Sequence, residues 1–101
     1  MKLAYFVGFP APAPALDEVL ERLRAVTHLT LAYDAEQVLL RSLENHQRLL
    51  LVPAGATYEI YNHNASEDYL LWSLLHTLVL MGGKTEAEIP KWIGKAWQDT
   101  R

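Results

Sequence analysis

Residues 34–45, DAEQVLLRSLEN, decide what kind of sheet this chain can build. Two readings compete. As a helix, Asp34 followed by Gln37 resembles a capping box, and Ala35, Val38, Leu39 and Leu43 share one side. Most of the stretch consists of good helix formers. As a hairpin, residues 38–44 form one strand, Asn45-His46-Gln47 the loop, and residues 48–52 (RLLLV) the returning strand. The hairpin is the preferred reading. It makes the fold α+β, with a mainly antiparallel sheet of about four to five strands, one N-terminal helix and two C-terminal helices. A helix over 35–45 would instead give a β-α-β-α-β order and a largely parallel α/β sheet.

Upstream, residues 27–33 alternate. Leu29, Leu31 and Tyr33 point one way and His28, Thr30 and Ala32 the other, as in a half-buried strand. Leu16, Val19, Leu20 and Leu23 follow helical spacing. Asp17 and Glu18 in the first turn and Arg22 and Arg24 in the last suit the helix dipole. The stretch FPAPAPA before it is a stiff connector, because each proline lacks an N–H and fixes φ. Residues 3–9, LAYFVGF, are apolar on both alternating faces, which predicts a strand covered on both sides.

Downstream, Pro53-Ala54-Gly55-Ala56 reads as a turn and residues 58–62 as a strand. Asn64 with Glu67 has capping-box spacing, and the helix it opens runs to about Met81, where Gly82-Gly83 stops it. That helix is apolar nearly all round, with Ser73, His76 and Thr77 as a narrow polar stripe, so it is expected to be buried on most sides. Pro90 suits the first turn of a final helix with Ile89, Trp92, Ile93, Ala96 and Trp97 on its apolar side, fraying over residues 99–101.

The 101 residues fit one globular domain, 1–101. Half are hydrophobic, and Cys is absent, so disulfides, thiolate nucleophiles and Cys-type zinc sites are excluded. The net charge is -3, and the nine Lys and Arg never stand side by side. Phosphate neutralisation needs a clustered basic footprint, so neither nucleic acid nor an anionic membrane is expected as a partner. The apolar run at 3–9 is at the lower limit for the core of a secretion signal, and Pro10, Pro12 and Pro14 crowd the place of a cleavage site, so the run is read as a strand. The apolar stretch 69–81 falls short of the roughly 20 residues a membrane span needs. A cytoplasmic location follows as an expectation.

Chemistry-bearing residues are sparse. His28, His46, His63 and His76 show no metal-ligand spacing, so no metal and no cofactor is expected. Gly8 has no phosphate-binding pattern around it. Ser73 and His76 share a helix face but lack an acid to orient the imidazole. The candidate catalytic patch is Glu59, Tyr61 and His63, projecting from one strand face at two-residue spacing, with Asp68 following. A carboxylate beside an imidazole can act as a general base. The alternative is a solvated edge strand with acids complementing a helix dipole. Trp72, Trp92 and Trp97 are candidate interface anchors.

Two functions compete. The thin catalytic inventory, the greasy helix and the three Trp favour a non-enzymatic interaction or regulatory module that binds a protein partner or itself. Small acidic immunity or antitoxin-type proteins have this general character, though no motif ties the chain to them. The alternative is a small enzyme or ligand-binding domain built on Glu59, Tyr61, His63 and Asp68.

Overall fold

The strand RLLLV and the capping-type Asp34 both find their place in a computed structural model, which describes residues 4–27, 29–44, 46–62, 69–91 and 93. Its elements are β1 (Ala4–Gly8), α1 (Leu16–Val26), β2 (Leu31–Asp34), β3 (Leu39–Ser42), β4 (Arg48–Ala54), β5 (Thr57–Asn62) and α2 (Tyr69–Leu80). The five strands form one antiparallel sheet in the order β1-β5-β4-β3-β2. β2 to β5 are a meander of consecutive hairpins, and β1 returns to pair with β5. The first two strands therefore lie at opposite edges, and α1 connects them.

The hairpin reading of 34–45 holds, and the α/β alternative falls. Asp34 uses its side chain as a cap would: Oδ1 accepts from the N–H of Glu36 (3.0 Å) and of Gln37 (3.3 Å). The capped element is a turn over residues 35–38, not a helix. Val38 there has a φ of 49°, which a helix could not contain. At the next bend Ser42 N–H donates to Gln47 O (3.0 Å). Glu44 reaches back to Thr30, its carboxylate accepting from Thr30 N–H (2.8 and 3.0 Å) and from Oγ1 (2.7 Å). The third bend is shorter than expected. Pro53 and Ala54 belong to β4, and Gly55-Ala56 alone make the turn, with positive φ at the glycine (62°) as a type II′ hairpin requires. Pro53 is tolerated in this central strand because its nitrogen faces past the end of β3, where no ladder bond is needed.

Inward residues of the sheet meet both helices on one side. Val7, Leu40, Leu49, Leu51, Tyr58 and Ile60 share a buried cluster with Val19, Leu20 and Leu23 of α1 and Leu70, Leu71, Leu74, Leu75 and Leu78 of α2. α2 is mostly buried as expected, Ser73 and Thr77 included, while Leu80 is 58% exposed. α1 has Glu18 and Arg22 within 3.8 Å, both exposed, which contributes little.

Two expectations are corrected. β1 is not covered on both sides: it is an edge strand, and its outward Phe6 is 54% exposed. The described residues contain two helices, one N-terminal and one C-terminal, rather than one and two. The expected final helix falls largely outside the described residues; at its start Ile93 N–H donates to Pro90 O (3.1 Å). The Asn64–Glu67 cap also lies outside them.

Among the described residues, α2 ends where glycines were expected. Gly83 N–H donates to Leu78 O (2.9 Å), closing the last turn. A Cβ on Gly83 would stand 2.5 Å from Val7 Cγ1 and 2.9 Å from Leu78 O, so only glycine lets the chain pass between the helix and β1. Directly after it Lys84 exchanges two backbone hydrogen bonds with Gly8, at 2.9 and 2.8 Å.

Candidate functional site

No described element covers the sheet face opposite the helices. Strand register places its side chains in rows. Asp34, Leu39, Leu50, Tyr61 and Ala4 run straight across all five strands. On one side of this row lie Val52, Glu59 and Phe6; on the other lie Ala32, Arg41 and Arg48. The middle of the face is apolar: Leu39, Leu50 and Val52 are half-buried only by their neighbours, and Phe6 stands out furthest. Arg41 and Arg48, both exposed, face each other directly across β3 and β4. Like charges in that position repel.

Two of the four candidate catalytic residues sit on this face. Glu59 and Tyr61 project from β5 at two-residue spacing, and Tyr61 OH donates to Glu59 Oε1 (2.7 Å). That bond to the carboxylate, then partial desolvation, pushes the phenol pKa up, so Tyr61 stays a neutral donor through the physiological range. Phenol and carboxylate thus satisfy each other. β5 is an inner strand, between β1 and β4, so the reading of these residues as a solvated edge strand is also corrected. His63 and Asp68 lie outside the described residues.

A groove of about 730 Å³ lies elsewhere. It runs between β1 and residues 84–87, with Thr57 on its wall, and neither Glu59 nor Tyr61 lines it. Among the described residues, no three His or carboxylate side chains gather as a metal would need. Ser73 is fully buried and its Oγ makes no hydrogen bond, while burial lowers the pKa of the half-buried His76, so this pair offers no exposed nucleophile and base. Trp72 is half-buried and packs edge-to-face on Tyr5, with ring centroids 6.2 Å apart. Trp92 and Trp97 lie outside the described residues.

Sequence reasoning missed Leu39, Leu50, Val52 and Phe6 as one surface. The signal was present in RLLLV, whose apolar residues occupy both faces of one strand. In a sheet with helices on a single side, one of those faces stays uncovered.

No helix among the described residues is long and apolar enough to cross a membrane. Comparison of the chain with protein-family models, curated proteins and solved structures returns no match.

Proposed function

We propose that this chain is a non-enzymatic protein–protein interaction module whose binding surface is the open sheet face, and that its first partner is a second copy of itself. The observation that carries the proposal is the row Leu39–Leu50–Tyr61–Ala4 with Val52 and Phe6 beside it, apolar side chains in register with no described element over them. Exposed apolar patches of this kind mark association surfaces. The face also carries its own electrostatic complement. Arg41 and Arg48 flank the apolar row on one side and Glu59 on the other. A second copy turned end for end brings its Glu59 to the arginine side of the face and closes apolar row on apolar row.

Sedimentation equilibrium tests this. The expected result is a concentration-dependent dimer that Leu50→Asp abolishes while far-UV circular dichroism stays unchanged. Arg48→Glu weakens it, and Arg48→Glu with Glu59→Arg restores part of the loss. A wild-type chain that remains monomeric at every concentration would overturn the proposal, as would a Leu50→Asp variant that still dimerises.

A further inference from the structure

The free edge of β1 is a second surface, formed by backbone groups and adjoining the open face at Ala4 and Phe6. Which of its backbone groups are free follows from the hydrogen bonds at its end. Phe9 N–H donates to Ala56 O (2.9 Å), toward β5, and Gly8 N–H donates to Lys84 O (2.9 Å), away from it. Backbone direction alternates along a strand. Tyr5 and Val7 therefore bond to β5, while Ala4, Phe6 and Gly8 direct their N–H and C=O groups outward. Gly8 is satisfied by Lys84. Phe6 and Ala4 have no backbone partner on that side among the described residues.

Lys84 makes a single antiparallel bridge and the strand stops there. Thr85 ends it: its Oγ1 accepts from Ala87 N–H (3.2 Å), which bends residues 85–87 away from β1. The space opened is the groove of about 730 Å³ lined by Ala4, Tyr5, Phe6, Gly8, Thr57 and residues 84–87. Natural edge strands are commonly guarded by proline or charge. β1, AYFVG, carries neither.

We propose that this groove binds an extended segment of another protein, which adds to β1 as a sixth strand, antiparallel to it and in line with Lys84. The occupant is fixed by backbone chemistry. Only an extended chain offers donors and acceptors at the roughly 7 Å repeat that Phe6 and Ala4 present. A whole second sheet does not fit, because residues 84–87 wall the outer side of the lane. The residue opposite Phe6 places its side chain beside the exposed ring, so an apolar or β-branched residue is selected there.

Nuclear magnetic resonance titration with the peptide acetyl-KTVTVTK-amide tests the site. Saturating peptide is expected to slow hydrogen exchange at the Phe6 amide by about tenfold and to shift Thr57 and Ala87. Its N-methylated copy, which cannot pair, is expected to do neither. Phe6→Pro removes the outward N–H and leaves the β1–β5 ladder intact, so it abolishes binding in a folded protein; Phe6→Ala keeps the N–H and retains binding. Leu50→Asp, which disrupts the open face, leaves peptide binding unchanged. Equal binding of the N-methylated peptide, or a Phe6→Pro variant that binds as wild type, would overturn the proposal. A Phe6 amide already protected in the free chain would overturn it too, by assigning the lane to the chain itself.

Discussion

Val38 holds a left-handed backbone, φ 49°, with a β-branched side chain that disfavours it. It persists because the turn around it is closed at both ends: Asp34 caps the entry, and Val38 O accepts from Leu51 N–H (2.8 Å) at the exit. Asn tolerates this conformation far better. Val38→Asn is expected to stabilise the protein by about 0.5–1 kcal/mol, a rise of several degrees in melting temperature at this chain length. A lowered melting temperature would show that the half-buried valine contributes more by packing than it costs in strain. Glu44 illustrates the electrostatic side. Hydrogen bonds from the Thr30 hydroxyl and then its N–H hold the Glu44 carboxyl below its ordinary pKa. A depressed carboxyl pKa contributes stability above the unfolded-state value, and that contribution disappears as pH falls through the folded-state value. Thr30→Val removes the strongest of these bonds. Denaturant titrations of this variant should therefore converge on wild type below the carboxylate range and separate from it toward neutral pH. A constant difference across pH would rule out Glu44 as the cause.

At the scale of elements, α2 has two unequal sides. Leu70, Leu71, Leu74, Leu75 and Leu78 are wholly buried between sheet and α1, while Leu80 lies largely in solvent. Leu74→Ala leaves a cavity in the shared cluster and is expected to cost about 3 kcal/mol, against less than about 0.5 kcal/mol for Leu80→Ala. Chemical denaturation of the two variants measures the contrast, and equal losses would contradict the packing described. The strands were readable wherever the apolar pattern and the turn chemistry agreed. Residues 48–52 form a β-rich apolar run and residues 57–62 alternate, and Gly55 punctuates them. Residues 34–45 were harder because Asp34 followed by Glu36 and Gln37 caps a turn and a helix with the same bonds, and only the backbone at Val38 separates the two. The edge position of β1 was not readable at all. Its composition is that of a covered strand, and what uncovers it is Thr85 bending the chain away some eighty positions later.

At the scale of the molecule, the two faces of the sheet have different surroundings. One is closed by α1 and α2 into the buried cluster; the other offers Leu39, Leu50 and Val52 outward, with an arginine pair on one side of the row and a carboxylate on the other. The described half of the candidate catalytic patch lies on this second face: Glu59 and Tyr61 project from the inner strand β5, and the Glu59 carboxylate accepts a hydrogen bond from the Tyr61 phenol. The order β1-β5-β4-β3-β2 has a temporal consequence as well. Among the described strands a ribosome delivers β1 before the others and its ladder partner β5 after them, so β1 waits through the synthesis of the meander before it can dock. During that interval AYFVG stands unpaired along both edges, open to mispairing with other nascent strands.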